Sequence, residues 1–259
     1  ADNIRDVLRD TTKMVLIETV SNPTLRVADV EGIAALCQER GILLAVDNTF
    51  TTPRVVRPLD LGADMTIHSV TKLLSGHSDA MLGYVGANDG ALAERIATLG
   101  ATIGMTPSPF DCWLAERGLY SFGLRFERAQ ATALRLADAL AETQGVARVI
   151  YPTRPDHPDH NRAGSLLGND GGNMVSFEIA PTREAANAFV RAAEGIAFAP
   201  TLGDIATTLS HPASSSHRAM SPADRQALGI SEGFFRVSVG CEDPDDLIAR
   251  FLTAAKSVA

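Results

Sequence analysis

Residues 42–50 read Ile42-Leu43-Leu44-Ala45-Val46-Asp47-Asn48-Thr49-Phe50, and residues 64–72 read Asp64-Met65-Thr66-Ile67-His68-Ser69-Val70-Thr71-Lys72. The aliphatic run Ile42 to Val46 stops at Asp47, and Met65 to Ile67 runs into His68-Ser69-Val70-Thr71-Lys72. Short apolar runs of this kind, separated by helical patterns, predict parallel strands joined by crossovers. Upstream, Val15 to Ile17 is a third candidate and stops at Glu18. Between Val27 and Arg40 the apolar residues Val30, Ile33, Ala34 and Cys37 recur at helical spacing, and Gly41 stands where that helix should end. Pro53 and Pro58 leave room for only a short helix over residues 51–62. Three successive strands thus end in polar residues. In an open α/β sheet ligands bind beyond the carboxyl ends of the strands, so the site is expected there.

The rest of the chain agrees with a folded α/β protein. Its 259 residues, 45% of them hydrophobic, can supply a real core. With 23 basic and 31 acidic side chains the net charge is −8, and no Lys/Arg-dense stripe could neutralise a run of phosphates, which argues against nucleic acid. The longest aliphatic stretch is far too short to span a bilayer, and the N-terminal residues lack the basic and apolar regions of a secretory signal. A cytoplasmic protein with no membrane partner is expected. Cys37, Cys112 and Cys241 are odd in number and far apart, so they read as reduced structural thiols. Past Trp113 the pattern changes. A long helical stretch, Phe122 to Glu142, leads into a loop rich in Pro, His and Asp from Tyr151 to Arg162. An alternating strand at Val175, Phe177 and Ile179, a helix near Arg183 to Ala193, a strand from Phe234 to Val239 and a last helix from Pro244 follow. These predict a second α/β domain, dividing the chain into residues 1–121 and 122–259.

The chemistry centres on Lys72. An ε-amino group placed just after a buried strand can lose its proton near neutral pH, and amine attack on a carbonyl needs that neutral form. Ser69 and Thr71 stand beside it at the expected start of a helix, where N–H groups and the dipole favour a phosphate. Asp47, ending the preceding strand, could place a carboxylate against a protonated pyridine nitrogen, as a pyridoxal phosphate (PLP) ring requires.

The stretch from Asp64 to Asp79, with Ser69-Val70-Thr71-Lys72-Leu73-Leu74-Ser75-Gly76-His77 at its centre, closely resembles the cofactor-lysine signature of the Cys/Met metabolism PLP-dependent enzymes. That family contains cystathionine γ-synthase, cystathionine γ-lyase, methionine γ-lyase and the homoserine-ester sulfhydrylases. Further blocks agree in order: Glu18 to Thr24, Ala45 to Phe50, Phe110 to Leu114, His211 to Ser214, and Arg236 to Asp243. The resemblance implies the PLP-dependent transferase fold of the aspartate aminotransferase type (fold type I), with the later part of the large domain followed by a smaller α/β domain. It implies that Lys72 carries PLP as a Schiff base and later moves protons. Asp47 pairs with the pyridine nitrogen, Ser69 and Thr71 bind the phosphate, and Asn22 lies near the cofactor's 3-hydroxyl. Glu18 and Thr49 support these groups, while Arg236 and Thr201 receive the substrate carboxylate, a job suited to a bidentate fork. The strand period agrees, since Phe235, Val237 and Val239 share one face and leave Arg236 and Ser238 on the other.

The implied activity is γ-elimination or γ-replacement on a homoserine-derived or sulfur-containing amino acid, with a cystathionine β-lyase and a PLP-binding protein without turnover as the alternatives. A homo-oligomer, a dimer of dimers in the family, is implied as well. The family pattern also has roughly a third more sequence ahead of residue 1, with an arm reaching a neighbouring subunit, a Gly-containing phosphate loop and an aromatic residue stacked on the cofactor ring. Pro200, before Thr201, stands where cystathionine γ-lyases often carry an acidic residue. His157 and His160 form an HxxH pattern, but a Pro-rich loop gives it no periodic scaffold and no metal is expected there. His68, His77, His211 and His217 read as structural or capping residues.

Overall fold

A computed structural model describes residues 1–258 and places two sheets along the chain. The first contains β1 (Met14–Glu18), β2 (Leu43–Asp47), β3 (Met65–Ser69) and β4 (Gly83–Ala87) in that order. β1, β2 and β3 run parallel, with Glu18 level with Asp47 and Asp47 level with Ile67, and β4 returns antiparallel. A short helix α1 (Asp2–Arg5) precedes them. Helix α2 (Val30–Arg40) makes the first crossover and lays Val30, Ile33, Ala34 and Cys37 against Leu44 and Val46. The Asp29 side chain caps its first turn, and Gly41 ends it in the left-handed conformation at φ 63°. The second crossover holds only α3 (Thr52–Val55) and a 3-10 turn at Pro58–Leu61, as its two prolines dictate.

Helix α4 (Gly90–Thr102) follows, and then α5 (Pro109–Ala141), which starts well before the expected Phe122 because Ser108 caps it and Pro109 occupies its first turn. The second sheet has the order β5-β6-β9-β8-β7. Its strands are β5 (Val146–Ile150), β6 (Met174–Ile179), β7 (Ala197–Phe198), β8 (Thr208–Ser210) and β9 (Phe234–Ser238). Around it lie α6 (His160–Leu167), α7 (Arg183–Ala192), α8 (Pro222–Ala227) and α9 (Pro244–Lys256). One face of this sheet carries Val175, Phe177, Ile179, Phe235 and Val237, which pack with Leu136 and Leu140 of α5, Phe189 of α7 and Phe251 of α9. The Phe177 ring lies 5.3 Å from Phe189 and 5.5 Å from Phe235. The opposite face carries Met174 and Phe234, and here Val20, Leu25 and Val27 pack on it from the loop that follows β1. The end of the first sheet is therefore pressed against the second, and the side chains of Ser176 and Arg236 are caught between them.

Two expectations are corrected. Residues 70–74 form no helix. They make consecutive turns, with Lys72 N donating to Ser69 O, Ser75 N to Val70 O and Gly76 N to Lys72 O. The chain has to reverse into the antiparallel β4, and Gly76 at φ 76° breaks any helical continuation. The loop expected from Tyr151 to Arg162 gives way at His160 to α6. No helix of the described residues is long and apolar enough to cross a membrane.

Candidate active site

The three polar strand ends converge as the sequence suggests. Asp47 Oδ1 accepts from Thr49 N at 3.0 Å and from the Thr49 hydroxyl at 2.6 Å, and that hydroxyl in turn accepts from Ser69 N at 2.9 Å. Thr49 thus ties the carboxylate ending β2 to the last residue of β3. Glu18, ending β1, accepts from Asn22 N at 2.9 Å. Burial raises its pKa, the Asn22 bond opposes that, and the negative charge of Asp47 adds to the rise.

From the second sheet comes Arg236, 4% exposed. Its Nη1 donates to Asn22 Oδ1 at 2.8 Å and its Nη2 to Thr201 O at 2.8 Å, while Nε is buried with no partner. Burial pushes the guanidinium down to about 10. Lys72 Nζ has a single protein contact of this kind, the Thr201 hydroxyl at 3.4 Å. Its pKa is lowered, first by burial and then by the charge of Arg236. Two cations share a partly dry space, and among the described residues neither has a carboxylate in ion-pair contact. Such a space favours an anion and favours the neutral form of the lysine.

The loop carrying Thr201 is held close to Lys72. Gly203 N donates to Ser238 Oγ at 2.8 Å, and Ile205 N donates to Gly76 O at 2.9 Å. Gly203, at φ 81°, sits so near the lysine backbone that a Cβ there would lie 2.7 Å from Leu73 N.

The sequence-derived set is therefore brought together, with one difference between the two hydroxyls. Thr71 Oγ1 accepts from Leu82 N at 2.9 Å and donates to Leu82 O at 3.2 Å, so its hydroxyl fastens the turn to the residue before β4. The Ser69 hydroxyl makes no hydrogen bond among the described residues. Asn22 spends its side-chain oxygen on Arg236. Three residues at the site have no place in the sequence-derived set: Ser238, Gly203 and Arg125, whose guanidinium donates to Leu73 O and Leu74 O just after Lys72. Ser238 had a signal in the strand period, which placed it on Arg236's face. The other two had none, because their contacts are long-range. His157 Nε2 donates to Leu25 O and its Nδ1 accepts from Asp159 N, and no metal-binding cluster occurs among the described residues. A cavity of about 560 Å³ lies elsewhere, between α2, the 3-10 turn and α6, lined by residues such as Asp29, Arg57, Asp60 and Arg162.

The donor set fits pyridoxal phosphate. It offers a desolvated amine, a carboxylate with one oxygen outside the Thr49 bonds, a free hydroxyl at Ser69 and an orphaned guanidinium N–H. The family model for Cys/Met metabolism PLP-dependent enzymes matches residues 1–256. The chain belongs to this family. Cystathionine γ-lyase of Dictyostelium discoideum is 39% identical over 248 residues, covering 96% of this chain and 64% of that protein. Cystathionine β-lyase of Bacillus subtilis (strain 168) is 40% identical over 252 residues, covering 97% of this chain and 64% of that protein. The crystal structure of cystathionine γ-lyase from Lactobacillus plantarum complexed with L-serine superposes with a TM-score of 0.92 at 35% identity, covering 98% of this chain and 66% of that one. The fold of this family member is thus the α/β fold type I of PLP-dependent enzymes. The chain spans 64% of the length of both curated relatives, so it corresponds to part of their length.

Proposed function

We propose that this family member acts, as part of a PLP-dependent enzyme of cysteine and methionine metabolism, in γ-elimination or γ-replacement on a homoserine-derived or sulfur-containing amino acid. The observation that carries the reading is the facing pair Lys72 and Arg236, an amine with a lowered pKa beside a guanidinium without a carboxylate partner. Lys72 would hold the cofactor's aldehyde carbon, Asp47 its ring nitrogen and Ser69 its phosphate. Thr71 would steady the turn that carries them. When bound, the cofactor supplies a ring that withdraws electrons from the α-carbon of an attached amino acid. Arg236 Nε and Nη then receive the substrate carboxylate, with Asn22 and Thr201 fixing the plane of the fork. Once the substrate's own amine displaced Lys72 from the aldehyde carbon, the freed neutral amine, held by the Thr201 hydroxyl at 3.4 Å, would be the base that takes up the α-proton and later gives it back. Thr49 keeps the Asp47 carboxylate oriented, and burial first, with the charge of Asp47 adding to it, raises the pKa of Glu18 behind it.

The two-domain division at residues 121 and 122, a homo-oligomeric assembly and a cytoplasmic location belong to the same reading. Outward-facing Phe110, Trp113, Tyr120 and Leu124 on the first half of α5 support the assembly. The test is borohydride reduction of the PLP-loaded protein followed by peptide mapping and product analysis with O-acetylhomoserine and cystathionine. A pyridoxyl mass on Lys72 and γ-derived products are expected. A mass on Lys13 or Lys256 overturns the assignment, and pyruvate from cystathionine would move the reading to β-elimination.

A further inference from the structure

We propose that Arg125, midway along α5, is a positioning residue for Lys72 that acts through the peptide groups just after it. The inference rests on the reading of Lys72 as the cofactor-holding amine. Nη1 of Arg125 donates to Leu73 O at 2.9 Å and Nη2 to Leu74 O at 3.0 Å. The same Nη2 reaches Gly118 O at 2.8 Å, and Nε donates to Ser121 Oγ at 3.0 Å. The fork therefore joins the helix to two consecutive carbonyls of the lysine turn. No ion pair involves Arg125 among the described residues, and its burial pushes the guanidinium pKa down, so the carbonyl dipoles are what hold the charge. Gly76 completes the fit. A Cβ there would run into the Arg125 guanidinium, so the turn and the arginine are matched in shape.

The Lys72 side chain cannot hold itself in place. Its amine has only the 3.4 Å contact to Thr201, so the position of Nζ is set by the backbone beneath it. That backbone is pinned at Ser69 by Thr49, at Gly76 by Ile205, and between them by Arg125. With the fork gone, Leu73 O and Leu74 O turn toward water and the turn loosens. Lys72 becomes more hydrated and moves away from Arg236, the two influences that keep its pKa low, and its pKa rises. An arginine that served stability alone would leave that value where it is.

The experiment is competitive acetylation of the cofactor-stripped protein across pH, with peptide masses reporting Lys72 against Lys13 and Lys256. In the parent protein Lys72 is expected to label with the lowest midpoint. Arg125→Ala and Arg125→Lys should raise the Lys72 midpoint by about half a unit or more, about a threefold loss of labelling at fixed pH below it. Methylguanidinium should restore the midpoint in Arg125→Ala. Arg128→Ala, on the same helix and reaching only Glu242 O, should leave it unchanged. If Arg125→Ala does not fold, Arg125→Lys carries the test, since it keeps the charge and lacks the fork. An unchanged Lys72 midpoint in a folded Arg125→Lys protein overturns the proposal while borohydride trapping at Lys72 still stands. Trapping at another lysine instead overturns the reading of Lys72 on which the proposal rests.

Discussion

Replacing Arg236 by methionine separates what the guanidinium does for folding from what it does for an amino acid ligand. Burial lowers this group from the ordinary guanidinium value to about 10, which corresponds to about 3 kcal/mol against the charged form at neutral pH. Two charge-assisted hydrogen bonds, to Asn22 and Thr201, return on the order of 3–4 kcal/mol. The two effects nearly cancel, so Arg236→Met should alter the unfolding free energy of the cofactor-free protein by less than about 1.5 kcal/mol in urea titrations. Binding should respond differently. Loss of the fork should weaken a carboxylate-bearing amino acid in the loaded protein by about 3 kcal/mol, more than a hundredfold. The pH dependence has a definite sign. The folded value lies below the unfolded one, so the burial penalty is fully present below about 10 and is relieved as pH rises from there toward the unfolded value. The parent protein should therefore gain on the methionine variant only in strongly alkaline solution. A loss of more than about 4 kcal/mol of stability with amino acid affinity intact would refute this reasoning and make Arg236 a structural strut.

Asp47→Ala removes the acceptor of both Thr49 bonds as well as the proposed ring partner, and should cut kcat by about a hundredfold or more while weakening PLP retention in dialysis. Phe177→Ala empties the centre of the aromatic cluster with Phe189, Phe235 and Phe251, and should cost about 3–5 kcal/mol, read as a fall in Tm. Asp159 accepts from Arg26 at 2.6 Å and from Val27 N at 3.0 Å, and the Arg26 bond leads the causes that hold its pKa below 3.8. Its stabilising effect is present above 3.8 and is lost as pH falls through the lower folded value, so Asp159→Asn should flatten the acid limb of a Tm against pH curve.

The elements that could be read from the sequence are those whose burial follows a simple period. The stripe Val30, Ile33, Ala34 and Cys37 packs where its spacing says, and β2 and β3 are apolar because they are covered by neighbours. Strand β4 escaped because Gly83-Tyr84-Val85-Gly86-Ala87 is mostly exposed and glycine-rich, whereas α4 has a legible signal, Leu92, Ile96 and Leu99 at helical spacing, although the helix buries no residue. With three residues, β8 is too short to show alternation. The turn after β3 looked helical because Ser69 to Leu74 contains no breaker, and what decides its shape lies outside it, in the return of β4 and the conformation of Gly76. The grouping of Lys72, Asp47, Asn22 and Arg236 was legible through the family resemblance. The restraint of Thr71 by Leu82 was not, because a hydroxyl's partner depends on the path of a chain eleven residues away.

Helix α5 gives the molecule a mechanical property. At about 1.5 Å per residue its 33 residues form a rod of about 50 Å. Its far half is bolted into the core of the second sheet by Ala133, Leu136, Ala137 and Leu140, while Arg125 grips the turn that bears Lys72. A division at residues 121 and 122 falls inside this rod. Any tilt of the second sheet relative to the first must swing α5 as a lever arm, with the carbonyls of Leu73 and Leu74 as the load, so that a rigid-body motion of one layer arrives at the lysine as a displacement.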